Sequence, residues 1–253
     1  MKETDIYDFY CFGYNYRIWK VGFINKKRSY VKNAISEYLA NITHLELQVT
    51  SQIVLDLVDI AQSLTEEPDE KIDNNLANQI KEIIDGADKA LDAELKLKKV
   101  LIVTPKRFSQ DMLLKYPSKL LAKNTPKYMS QNAKDDFSFA ARSIAMNLST
   151  AAAFHLMRST EEMVKQLYFC YVKQNRIKKP MWGPMVEKLR SKNQPKPSSD
   201  LLDHLDLIRK NYRNPTQHPD KFYSIDEAQD QLNSTIVAIN MISKSIEDRE
   251  PTE

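Results

Sequence analysis

The sequence predicts an all-α protein, and three observations carry that prediction. Only four glycines occur in 253 residues, too few for the tight turns of a sheet-rich fold. Apolar residues recur at three- and four-residue steps over long stretches, the period of an amphipathic helix. Prolines and polar clusters fall between those stretches, where helices end.

Taken in order, the opening DFYCFGYNYRIWKVGF is rich in aromatics and partly alternating, the pattern of a short strand or hairpin near the N-terminus. Its aromatics read as a cap over the core in preference to a base-stacking surface. From about Tyr30 the period becomes helical: Ile35, Leu39, Ile42, Leu45, Val49, Ile53, Leu57, Ile60 and Leu64 make one stripe that Pro68 stops. A second stripe, Ile72, Leu76, Ile80, Ile83, Ala87, Leu91 and Leu95, completes an N-terminal long-helix hairpin. The run Val100–Val103 fits a frayed helix end or a short strand. The proline-rich segment from Thr104 to Tyr128 reads as a connector with little regular structure. It sets the expected domain boundary, with 1–130 an N-terminal helical domain and 131–253 a C-terminal helical bundle. In the second domain Phe137, Ala140, Ala141 and Ile144 mark one helix. Another, for which Ser149 and Thr150 offer N-caps, carries Phe154, Met157, Val164, Leu167, Tyr168 and Tyr171. Leu201, Leu205 and Ile208 follow a Ser-Asp helix start, and Ser224 with Glu227 forms a capping box before the final helix.

Composition narrows function. A net charge of +3 permits a nucleic-acid partner without requiring one. Cys11 and Cys170, the two cysteines, form no CxxC pair, so neither a disulfide framework nor a cysteine zinc site is expected. No signal-peptide pattern opens the chain and no apolar run reaches the roughly 20 residues that span a bilayer, which predicts a cytoplasmic protein with no membrane contact. There is no phosphate-cradling glycine loop, no HExxH and no pair of histidines at metal-ligand spacing, so no cofactor and no metal are expected.

One segment holds candidate chemistry. In YRNPTQHPD, Tyr212–Asp220, Arg213 ends a helical stretch, and Asn214 is biased away from helical angles by Pro215. The chain is therefore expected to turn there and bring His218 near the arginine. On the residues alone two readings stay open. The histidine can cap the last helix carbonyls. Alternatively, a neutral imidazole can take the proton of a ribose 2′-OH while a guanidinium grips the phosphate. That reaction needs no metal, because the nucleophile is internal to the RNA.

The stretch from about Asn132 to Glu247 resembles the HEPN superfamily of small helical bundles. The residues that carry the resemblance are Arg213, Asn214 and His218, which match that family's R-x4-6-H motif with a polar residue after the arginine. The flanking LLDHLDLIRKNYRNPTQHP and SIDEAQDQLNSTIVAI, and the helix STAAAFHLMRSTEEMVKQLY, are similar to it as well. The resemblance implies a homodimer that brings two motifs into one cleft, and a metal-independent endoribonuclease of phage defence, toxin–antitoxin or stress response. RNA would be its substrate, and an antitoxin or defence-system protein its partner. It equally admits a non-catalytic scaffold or RNA-binding module. Arg213, His218 and Asn214 would be catalytic. Glu161, with Arg158, would support them from the neighbouring helix, where Glu162 completes a charged patch. His155 reads as a packed core histidine in preference to a second catalytic group, and His204 and His44 as surface residues. Apart from the resemblance, Lys173, Arg176, Lys178 and Lys179 form a basic loop that reads either as a solvated loop, the default, or as a contact for RNA phosphates.

Overall fold

A computed structural model describes residues 4–64, 69–172, 180–218 and 220–249. Among these residues the secondary structure is helical, with no β-strand beyond one isolated antiparallel bridge between Lys27 and Lys71. The protein is all-α, and no described helix is long and apolar enough to cross a membrane. Two units divide at Leu101 and Ile102.

The first unit contains α1 (Ile6–Val21), α2 (Arg28–His44), α3 (Gln48–Ile53), α4 (Asp56–Ser63) and α5 (Asn74–Leu97). The opening aromatic segment is thus a helix, not the expected strand or hairpin. Asp5 caps it by accepting from the Tyr7 amide at 2.9 Å, and Gly22, at φ 90°, ends it. Phe12, Trp19 and Phe23 are buried, with Phe12 stacked on Tyr38 at 6.1 Å and Trp19 edge-on to Tyr38 at 4.7 Å. The helical period was hidden because the outward face of α1 is aromatic too. The expected long helix from Tyr30 to Leu64 is also broken. After α2, Glu46 adopts φ 54°, the Leu47 amide reaches back to the Ile42 carbonyl at 3.0 Å, and the Glu46 amide to Thr43 at 3.1 Å. This is a Schellman stop, with Ile42 and Leu47 both buried beside it. From α5, Glu94 then caps α3, accepting from the amides of Val49 and Thr50 and from the Thr50 hydroxyl. Only the second arm of the hairpin, α5, is one long helix.

Tyr38 is 1% exposed, and its hydroxyl has no hydrogen-bond partner. Burial is the first cause that pushes its phenol up to about 12, with the Asp88 carboxylate adding to it. Tyr38→Phe is expected to raise stability by about 1 kcal/mol, since a buried hydroxyl left unpaired costs roughly that much. The folded state holds the phenolic proton more tightly than the unfolded chain. In the parent protein this contribution is therefore present below about pH 10 and lost as pH rises toward 12, whereas the variant lacks the decline. Urea unfolding of both proteins at pH 7 and pH 10.5 checks it; a loss of stability at pH 7 in the variant would refute it.

The second unit contains α6 (Gln110–Leu114), two 3-10 turns (Pro117–Leu120 and Thr125–Tyr128), α7 (Gln131–Ala145), α8 (Ser149–Tyr171), α9 (Trp182–Arg190), α10 (Ser199–Ile208), α11 (Asn214–Thr216) and α12 (Ile225–Glu247). The domain boundary falls about thirty residues before the expected position. The proline-rich segment belongs to this core, where it buries Leu113 and Leu121. Its backbone is tied down by α12: the Arg107 amide donates to Gln229 at 2.7 Å, and the Ala122 amide and Thr125 hydroxyl donate to Asn240. Residues 100–103 have neither helix nor strand structure. A second Schellman stop, with Asn147 at φ 59° and the Leu148 amide on the Ser143 carbonyl at 2.8 Å, turns α7 directly into α8. The N-cap position of α8 is Leu148, without a side-chain cap, so Ser149 and Thr150 do not play the expected role. Helix α8 is the central element, packed on α7, α12 and α9.

Candidate functional site

The site is built where α10 meets α11. Ser198 caps α10 by accepting from the Leu201 amide, and Leu201, Leu202, Leu205 and Ile208 bury its inner face. Beyond Ile208 the helix widens into one π-turn, Arg209–Arg213, in which the Asn214 amide reaches the Arg209 carbonyl five residues back. Arg213 (φ −61°, ψ −47°) and Asn214 (φ −65°, ψ −49°) are both helical. The expected turn at Asn214 therefore does not occur. A proline ring in a regular helix collides with the preceding turn and deprives a carbonyl of its donor. The wider π-turn accommodates Pro215 at the start of α11, so the chain continues and leaves the helix only at Gln217 and His218. The amides of these two residues bond the Asn214 and Pro215 carbonyls at 3.1 and 3.0 Å. Single π-turns of this kind concentrate at functional sites.

A buried polar knot closes the loop that carries His218. Thr216, 1% exposed, donates its hydroxyl to the Tyr212 carbonyl at 2.7 Å and lies 2.7 Å from the Tyr223 hydroxyl. The Tyr223 amide donates to Thr150 of α8 at 3.2 Å. On the exit side the expected capping box of Ser224 and Glu227 is formed, and Lys221 bonds Glu227 at 2.8 Å. Lys221 first, then the Ser224 amide and hydroxyl, hold the Glu227 carboxyl down at about 2. Thr216, Tyr223 and Thr150 were missed at the sequence level, although Tyr223 stands just before the capping box, a place where side chains fix the entry of a chain into a helix.

The predicted site residues divide into those brought together and those sent elsewhere. Arg213, about a quarter exposed, places Nη2 at 3.7 Å from Glu161 Oε2 on α8. The pair is loose, and the sealed Arg213 Nε has no hydrogen-bond partner. His218 and Asn214 are exposed. Among the described residues nothing hydrogen-bonds the His218 imidazole, so the site presents one anchored cation and one solvent-facing imidazole five residues further on.

Arg158 does not join Arg213 or Glu161. Its Nε donates to both oxygens of Asp136 on α7, at 3.1 and 3.0 Å. Asp136 is 7% exposed and also lies 2.8 Å from His155 Nδ1. His155 is about a third exposed at its side chain and rests against Phe139, so it is not a packed core residue. A buried carboxylate on Nδ1 leaves Nε2 as the outward nitrogen. His204 is tied to the Ser234 carbonyl at 3.2 Å and is half-buried, which corrects the surface reading, while His44 is exposed and pairs with Asp8 at 2.9 Å.

Lys173, Arg176, Lys178 and Lys179 lie outside the described residues. Among the described residues no group of three or more His, Cys, Asp or Glu side chains is placed to hold a metal ion. A cleft of about 420 Å³ lies between the segment Ala122–Thr125 and α12, lined by Lys123, Asn240 and Lys244 among others, and no motif residue lines it. No family model, no curated protein and no solved structure matches the chain.

Proposed function

We propose that the second unit is a metal-independent, HEPN-type endoribonuclease that works as a homodimer. The observation that carries this reading is the loose Arg213–Glu161 pair at the end of a π-turn, with an exposed His218 five residues further along the chain. Arg213 exchanges Glu161 for a phosphate oxygen and holds the scissile group through its planar fork. His218 takes the proton of the ribose 2′-OH, whose oxygen attacks phosphorus as the 5′-oxygen leaves. Asn214 orients the histidine or the phosphate, and Glu161 positions Arg213 between turnovers. The setting is phage defence, a toxin–antitoxin pair or a stress response, with an antitoxin or defence-system protein as regulator.

One observation favours a second reading, a non-catalytic module that binds RNA or a protein: the His218 imidazole has no orienting partner among the described residues. Digestion of RNA in EDTA by the full chain and by His218→Ala separates the two. Cleavage that survives the chelator and falls at least 100-fold in the variant is the expected result. Cleavage by neither protein, with RNA still bound, favours the module, and cleavage only with added metal refutes the mechanism.

A further inference from the structure

Helix α1 has two apolar faces, and the protein's own core uses one. Phe12 and Trp19 are buried, whereas Tyr7, Tyr10, Tyr14, Ile18 and Val21 are 63%, 65%, 60%, 47% and 83% exposed. At 100° per residue these five side chains fall in one narrow stripe. Their spacing, 3, 4, 4, 3, reads the same in both directions about Tyr14.

We propose that α1 is a homodimerisation helix, pairing antiparallel with α1 of a second copy about a two-fold axis at Tyr14. In that arrangement Tyr7 of one copy meets Val21 of the other, Tyr10 meets Ile18, and the two Tyr14 rings meet each other. A two-fold contact requires a surface that complements itself, and a palindromic stripe satisfies that requirement directly. Gly13 supplies an independent reason. It lies within the helix on the flank of the stripe, and a Cβ there would meet nothing within 4 Å. Nothing inside the chain calls for a glycine that costs roughly 1 kcal/mol relative to alanine. At 100° per residue Gly13 stands about 100° from the middle of the stripe, on the side of the pair, where the missing Cβ leaves room for a side chain of the other copy.

The flank also fits. Arg17 is exposed without a partner among the described residues, and across the axis it reaches the Tyr10 ring of the other copy beside that copy's Gly13. Covering both stripes buries on the order of 1,000 Å² in total, the low end for a specific interface. The dimer is accordingly weak and reversible, with a dissociation constant in the micromolar range. The inference uses residues 6–21 alone and does not depend on the nuclease reading.

The test uses the full chain in a Cys11→Ser/Cys170→Ser background. Tyr14→Cys is expected to form an intermolecular disulfide under mild oxidation. Val21→Cys is not, since its two copies sit about 20 Å apart along the paired helices, at 1.5 Å per residue. Sedimentation equilibrium is expected to show that Tyr14→Glu weakens self-association at least tenfold at unchanged helical content, the residue being exposed. Cross-linking no greater at 14 than at 21, unaltered association in Tyr14→Glu, or a parent chain that stays monomeric at 100 µM or so overturns the proposal.

Discussion

Replacing Arg213 with alanine is expected to lower RNA cleavage by about 10²–10³-fold while leaving helical content unchanged, the usual result of removing one donor aimed at developing charge. The side chain is anchored on one side only, by a carboxylate at 3.7 Å, and its Nε is unpaired. At 3.7 Å the ion pair is loose and contributes about 1 kcal/mol or less to stability, and Glu161 keeps a quarter of its side chain in water once the guanidinium is gone, so the variant folds. Arg213→Lys keeps the charge and loses the planar fork, and is expected to recover less than a tenth of the parent rate. Glu161→Gln leaves the guanidinium in place but removes its counter-ion; its rate falls only about tenfold, with the larger change in kcat, since misplacement costs less than removal. Initial rates on a single-stranded RNA in EDTA, with circular dichroism on each variant, check the order Arg213→Ala below Arg213→Lys below Glu161→Gln. A rate for Arg213→Ala within threefold of the parent removes the phosphate-holding role.

The elements legible in the sequence are those whose two faces differ. Helix α5 and the final helix α12 each have one apolar stripe and a polar remainder, and the capping box at Ser224 and Glu227 forms as spaced. Where both faces are apolar the period disappears, so α1 resembled a strand. The stop at Glu46 was hidden for a different reason: a left-handed residue there is paid for by burying Ile42 and Leu47, which local sequence does not display. The connector 104–128 holds only short helical pieces, yet Leu113 and Leu121 join it to the core. Within the site, the residue types at 213 and 218 were readable, and Glu161 lies 3.7 Å from Arg213. The π-turn that lets the helix run through Pro215 was not readable, and neither was Asp136, whose claim on Arg158 and His155 comes from another helix. Tertiary partners decide such side chains, and a pattern along one helix does not contain them.

The largest stability effect is expected at Leu156. It is fully buried in the first half of α8, the helix that α7, α9 and α12 all pack against. Leu156→Ala removes three carbons from a site that rigid helices line, so the cavity collapses poorly and the cost is about 2–5 kcal/mol. Leu156→Met keeps the volume and is expected to cost under about 1.5 kcal/mol. The effect reaches the candidate site because α8 itself presents Glu161 to Arg213 and holds Thr150 beneath the Tyr223 amide. Native-state hydrogen exchange on the full chain resolves the outcome. Amides in α8 and α12 are expected to exchange about 30-fold faster or more in the alanine variant, the equivalent of the lower bound of that cost. Cleavage at 10 °C is expected to persist, because the populated native state keeps the Arg213–Glu161 geometry. Exchange in α8 unchanged by the substitution would mean that this helix is not the central support of the second unit, and the route from α8 to Arg213 would lose its physical basis.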